Sequence, residues 1–136
     1  MKPTLAAGIT CTARHAVDLD RTIEFMGDKA RVYATPMLVR DIEIACRELL
    51  LAHLDPGEDS VGTRVELDHL APTPLGMNVE INARVTEVKG RGVAFEIEGR
   101  DEVDVICRGV HRRFVVDVKA TEARIAGKAA KVKSAA

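Results

Sequence analysis

The feature that most constrains the fold is one long segment, residues 35 to 54, with the periodicity of an amphipathic α-helix and no glycine or proline after position 36. Thr35 is a preferred N-cap residue, and Pro36 suits the first helical position. The apolar stripe contains Leu38, Ile42, Ala45, Leu49 and Ala52, with Val39, Cys46 and Leu50 beside it. The charged side chains predicted opposite the stripe are Arg40, Asp41, Arg47 and Glu48. Such a helix must bury its apolar face against another layer.

The remaining chain alternates in a way that predicts strands. A first strand is expected over residues 8 to 18, followed by a loop or broken turns over 19 to 34. After a loop at 55 to 62, four strands are predicted, joined by short turns; they open at Thr63, Met77, Val93 and Val103.

The last predicted strand changes phase. Val103, Val105 and Cys107 fall on one face, whereas the later apolar residues, Val110, Phe114, Val116 and Val118, fall on the other. A bulge near Gly109, or burial of both faces at a subunit contact, would explain the change.

This order of elements predicts an α+β structure of the hot-dog type, with one long central helix packed against an antiparallel sheet of about five strands. A single domain is expected over residues 1 to 118. The Ala- and Lys-rich segment from 119 to 136 is expected to be frayed helix or disordered.

Composition excludes several classes of function. Twenty Lys and Arg balance 21 Asp and Glu among 136 residues, so no global charge favours nucleic acid. No apolar run suggests a signal peptide or a membrane span. Three dispersed cysteines, Cys11, Cys46 and Cys107, indicate neither a metal site nor disulfides. A cytoplasmic protein that binds no membrane is the expectation.

Two side chains are candidates for chemistry. Glu43 lies at the edge of the apolar helix face, as either a boundary glutamate that reaches solvent or a carboxylate tuned by partial burial. His69 is in phase with Val65 and Leu67, as either a hydrogen-bonded core residue or a catalyst. His15, His53 and His111 have weaker claims.

Several motifs together resemble the fluoroacetyl-CoA thioesterase family. They are Val32-Tyr-Ala-Thr35-Pro-Met, Glu43-Ile-Ala-Cys46, Leu54-Asp-Pro-Gly-Glu-Asp-Ser-Val-Gly62-Thr63, His69, and Ala71-Pro-Thr-Pro-Leu-Gly76. The similarity covers roughly residues 30 to 90, and more loosely the last strand through His111-Arg-Arg113.

The resemblance implies a hot-dog homodimer with active sites near the subunit interface. It implies Thr35, Glu43 and His69 as the catalytic group, with Glu43 attacking the thioester or activating water, Thr35 orienting the carboxylate and His69 assisting. It further implies that the Gly62 backbone N–H binds the thioester oxygen and that Arg113 lies near the substrate. No metal or other cofactor is implied, since CoA is part of the substrate.

The expected function is hydrolysis of a short or medium acyl-CoA. Family members selective for fluoroacetyl groups carry phenylalanines before the helix, and Phe25, Met26, Lys29 and Tyr33 offer no clear match. The alternatives are a non-catalytic hot-dog dimer that binds acyl-CoA or serves as a structural partner, and an enoyl-CoA hydratase, which the absence of a visible Asp/His dyad disfavours.

Overall fold

The computed structural model describes the backbone of residues 1–135 and the side chains of residues 1–132. It contains five strands and two α-helices. The strands are β1 (Thr10–Ala16), β2 (Glu58–His69), β3 (Asn78–Lys89), β4 (Gly92–Arg100) and β5 (Val105–Asp117). The helices are α1 (Thr35–Leu51) and α2 (Val118–Ala135). Two short 3-10 turns, Leu19–Arg21 and Asp28–Ala30, lie between β1 and α1.

The five strands form one antiparallel sheet in the order β1-β3-β4-β5-β2. The β3–β4 connection is a tight hairpin in which Gly90 has a positive φ of 59°, a conformation that favours glycine. Helix α1 packs across one face of this sheet. The predicted α+β hot-dog fold is confirmed.

The buried face of α1 centres on a row of residues spaced by four, Leu38, Ile42, Cys46 and Leu50, each no more than 1% exposed. The prediction was wrong in two details. The helix ends at Leu51, and Ala52 lies beyond it and is exposed. Asp41, placed on the charged side by its chemistry, is instead buried at 7% exposure because other segments supply it with hydrogen bonds.

Helix α1 begins differently from the prediction. Its N-cap is Ala34, so Thr35 is the first helical residue and Pro36 the second. No side chain caps the helix. Pro36 removes an N–H that would otherwise be unsatisfied in the first turn. The Thr35 hydroxyl is therefore free to serve another partner.

The strand β2 is longer than predicted, because residues 58 to 62 pair with β5 instead of forming a loop. Its register shifts between Gly62 and Arg64. Of the two explanations for the phase change, the bulge near Gly109 is wrong, because β5 pairs with both β2 and β4 without a register shift there.

The inner face of β5 keeps a period of two through Gly109. It continues with two buried polar residues, His111 and Arg113, and then with Val115. Because His111 and Arg113 are polar, the hydrophobic pattern of the sequence did not reveal that the buried face continues through them. Val110 and Phe114 point the other way and are 38% and 43% exposed.

The segment expected to be frayed helix or disordered forms α2 up to residue 135; Ala136 lies outside the described residues. Asp117 accepts a hydrogen bond from the Ala120 backbone at 2.8 Å, and the Val118 N–H donates to the Gly57 carbonyl at 2.9 Å. From residue 122 to 132 every side chain of α2 is exposed. Neither described helix is long and apolar enough to cross a membrane.

Candidate active site

Thr35 and His69 meet where α1 begins and β2 ends. The Thr35 Oγ1 lies 2.7 Å from the His69 Nδ1. His69 shares the inner face of β2 with Val65 and Leu67, as its phase predicts, and that face looks toward α1. The contact joins residues distant in sequence.

The imidazole of His69 is half-buried, and its burial lowers the pKa of the ring below the ordinary histidine value. Its Nε2 is buried and has no hydrogen-bond partner among the described residues. The Tyr33 ring stands edge-on to it, with centroids 6.4 Å apart. A neutral ring with one nitrogen held by Thr35 and the other free is suited to proton transfer or to positioning a water.

A pocket of about 310 Å³ opens beside this pair. Thr35 and His69 form its polar part, and its apolar walls include Ile23, Phe25 and Pro72. Phe25 is 81% exposed at the rim. The pocket therefore combines a polar pair, Thr35 and His69, with apolar walls.

The Glu43 carboxylate lies two turns further along α1 than Thr35, near two other predicted residues, Gly62 and Arg113. Its side chain is 42% exposed, and its Oε1 is 3.9 Å from a guanidinium nitrogen of Arg113. A Cβ added at Gly62 on β2 would collide with the same oxygen. A residue larger than glycine at this position would make the carboxylate move aside.

Arg113 is held in place by buried partners. It donates from Nε to Ser60 Oγ at 2.7 Å and from Nη2 to the Ser60 carbonyl at 2.8 Å. Its Nη1 lies 3.2 Å from His111 Nε2. Desolvation lowers the pKa of Arg113 and the nearby Glu43 opposes this effect, yet guanidinium remains charged. A fixed cation therefore faces the carboxylate.

His111, which has a weaker claim from the sequence, is a buried neighbour of Arg113. It is fully buried, and its Nδ1 donates to the Arg64 carbonyl at 2.8 Å, which leaves Nε2 to accept from Arg113. Burial lowers its pKa, and the Arg113 charge adds to this effect. The sequence feature that indicates the burial of His111 and Arg113 is their alternation with Arg112 and Phe114, which point outward.

The two groups are separate within one chain. Eight positions of helix between Thr35 and Glu43 correspond to about 12 Å, which is beyond direct hydrogen bonding of the two side chains. Within the chain, the partner of the Thr35 hydroxyl is His69 and not Glu43. In the described part of the chain, no cluster of three or more His, Cys, Asp or Glu side chains is arranged to hold a metal ion.

The sequence profile of the fluoroacetyl-CoA-specific thioesterase family matches residues 17–119. The chain belongs to this family. It is 35% identical over 94 residues to the fluoroacetyl-CoA thioesterase of Streptantibioticus cattleyicolor, a match that covers 69% of this chain and 68% of the relative.

Solved structures agree with this membership in the fluoroacetyl-CoA-specific thioesterase family. A phenylalanine-to-alanine variant of the fluoroacetyl-CoA-specific thioesterase superposes with a TM-score of 0.86 at 29% identity, covering 93% of this chain and 99% of that one. A Thermus thermophilus protein described as a thioesterase superfamily member superposes with a TM-score of 0.89 at 28% identity, covering 98% and 99%. This family member is thus a thioester hydrolase with a hot-dog fold.

Proposed function

We propose that this protein hydrolyses a short or medium acyl-CoA to the free acid and CoA, with Glu43 as the nucleophile or general base. The observation that carries the proposal is the position of the Glu43 carboxylate, which a Cβ added at Gly62 would meet and which lies 3.9 Å from the buried Arg113. A carboxylate, a closely approached backbone and a fixed cation together suit the formation and stabilisation of an oxyanion.

Two routes use this geometry. In one, Glu43 takes a proton from water as the water oxygen bonds to the thioester carbon. In the other, Glu43 bonds to that carbon and forms a mixed anhydride, which water then hydrolyses. In both, the C–S bond breaks and the CoA thiolate accepts a proton, so the reaction requires no metal or cofactor.

The other predicted residues take supporting roles. The Gly62 N–H would bind the thioester oxygen, and Arg113 would stabilise negative charge near it. His69 would position the water or transfer the proton to the leaving thiolate, using the Nε2 that has no partner among the described residues. Thr35 would fix the orientation of the His69 ring.

We also propose that the active protein is a homodimer. The strand β2 is an edge of the sheet, and Val61 and Val65 on it are 45% and 39% exposed. On α1, Ile44 and Leu51 are 40% and 37% exposed. Apolar side chains beside an unpaired edge favour pairing with a second copy.

A dimer would also complete the catalytic group. Because about 12 Å of helix separates Thr35 from Glu43, we infer that Glu43 of one protomer acts together with Thr35 and His69 of its partner.

All three cysteines are free, which fits the cytoplasmic location that we propose. Fractionation of cells that express the chain would test this location.

The decisive experiment measures thiol release from a panel of acyl-CoAs of increasing chain length. Glu43→Gln removes the carboxylate charge at constant size and is expected to lower turnover by about 10²- to 10⁴-fold. Glu48→Gln is the matched control, because Glu48 is an exposed glutamate on the same helix. Equal rates in the two variants would refute the role of Glu43, and a wild-type protein inert on the whole panel would refute the activity.

A further inference from the structure

A second polar cluster lies beneath the Thr35–His69 pocket, around the buried carboxylate of Asp41. Arg21 donates to Asp41 through Nε at 2.9 Å and Nη2 at 3.2 Å. The Tyr33 hydroxyl also donates to Asp41, and His15 Nε2 lies 3.2 Å from its Oδ2. Residues from β1, the following turns and α1 therefore meet on one side chain.

The protons of this cluster are well defined. The Tyr33 hydroxyl has one proton and gives it to Asp41, so at 2.9 Å it accepts from His15 Nε2, whose N–H is shared with the Asp41 Oδ2 3.2 Å away. Burial would raise the pKa of Asp41, but the hydrogen bonds from His15, Arg21 and Tyr33 outweigh it and hold that pKa well below its ordinary value. Burial, and then the bond to Asp41, raises the pKa of Tyr33. The carboxylate is thus ionised and the phenol protonated.

Asp41 holds both ends of the segment that forms one wall of the pocket. Arg21 precedes that segment and Tyr33 follows it, and both bond to this carboxylate. Between them, the Ile23 N–H donates to the Val32 carbonyl at 3.0 Å, so the segment folds back on itself. Ile23 and Val32 both line the pocket.

Tyr33 connects the cluster to the reactive pair. Its ring stands edge-on to His69, and its N–H donates to the Thr73 carbonyl at 2.8 Å. Among the described residues, the His69 ring has one hydrogen bond, to Thr35. Packing against Tyr33 is a second restraint on the angle of the ring.

We propose that Asp41 is a positioning residue for the thioesterase reaction, acting through Tyr33 on the orientation of the His69 ring and through Arg21 and Tyr33 on the pocket wall. This inference rests on the proposed function of His69. Asp41 itself touches neither His69 nor the pocket in the described structure, so its effect is indirect.

The test compares Asp41→Asn, Tyr33→Phe and the double variant with the wild type. Tyr33→Phe keeps the ring and removes only the hydroxyl, so it remains informative if Asp41→Asn fails to fold. Glu96→Gln is the matched control, because it also changes a carboxylate paired with an arginine, Arg84, but on the outer face of the sheet. All rates are taken per folded molecule, below the melting transition of the least stable variant.

We expect Asp41→Asn to lower kcat by about 10- to 100-fold, since misplacement of a reacting group by about 1 Å costs up to about 10²-fold. KM should rise as well, because the pocket wall loses its support. Tyr33→Phe should lower kcat in the same way, and the double variant should be no worse than Asp41→Asn alone, because both changes break one network. Glu96→Gln should match the wild type.

A second measurement does not depend on activity. The NMR resonances of the His69 ring sense the ring current of Tyr33, so they should move in Asp41→Asn and Tyr33→Phe and stay in place in Glu96→Gln. Moved resonances in a protein without thioesterase activity would uphold the positioning and refute the proposed function. Unchanged resonances and unchanged kcat, with only a lower melting temperature, would overturn the inference.

Discussion

Gly62 lies on β2 beside the Glu43 carboxylate. A methyl group there would collide with the carboxylate oxygen and also press on the His111 ring, 3.3 Å away. We predict that Gly62→Ala lowers kcat by about 10- to 100-fold, because the carboxylate must move aside. Steady-state thiol release measures this.

The control for that substitution is Gly127→Ala, at an α2 position where an added Cβ has no neighbour within 4 Å. It should leave turnover unchanged. If Gly62→Ala also retained full turnover, the close approach of backbone and carboxylate would have no part in catalysis.

Thr35 has a hydroxyl whose bond is to His69 and not to the helix end. We predict that Thr35→Ser keeps most of the activity and that Thr35→Val loses most of it, because valine leaves the His69 ring unheld. The stability cost of Thr35→Val should be about 1 kcal/mol, the contribution of one hydrogen bond. Thermal melts beside the kinetics check both statements; full turnover in Thr35→Val would remove Thr35 from the catalytic group.

Among the elements, α2 is the one with the least attachment to the rest of the fold. It continues directly from β5, and its side chains from residue 122 onward are exposed as far as they are described. The domain boundary at 118 stays a prediction, and a truncation tests it. We predict that a chain ending at residue 121, which retains Asp117 and the first turn, keeps the melting temperature and the turnover of the full chain.

Two measurements check the truncation: calorimetry for stability and thiol release for activity. A large loss of stability would mean that α2 belongs to the domain. A loss of activity at unchanged stability would mean instead that α2 reaches the substrate or the partner protomer.

At the scale of the whole molecule, the proposed dimer requires the β2 edge to pair with a second copy of the chain. We predict that Val61→Glu shifts the protein toward monomer and lowers turnover, because it places a charge beside the exposed Phe114 at the edge. Val103→Glu is the control, since Val103 is 73% exposed in the turn between β4 and β5. Sedimentation velocity at micromolar concentration distinguishes the two variants, and a monomeric wild type would refute the dimer.

The proposed sharing of catalytic groups between protomers makes a further prediction. Glu43→Gln chains and His69→Ala chains should each be inactive, yet a mixture that is unfolded and refolded together should regain activity. In a mixed dimer, one of the two sites then contains an intact Glu43 and an intact His69. Continued inactivity of mixed dimers would show that the groups act within one chain.

The sequence by itself determined the elements and their order. The helix beginning at Thr35 and the alternating strands are local features, because periods of about 3.6 and 2 decide which side chains share a face. The same phase correctly placed His69 with Val65 and Leu67 on the inner face of β2. The motifs around Thr35, Glu43 and His69 were enough to identify the family.

Only the tertiary structure decided which polar residues are buried. Asp41, His111 and Arg113 look like surface residues to any hydrophobicity pattern, and each is buried because partners from other strands or turns satisfy its hydrogen bonds. The Thr35 hydroxyl likewise bonds to His69, across 34 positions of sequence, instead of capping its helix. Such contacts depend on the packing of distant segments, which no local period of the sequence encodes.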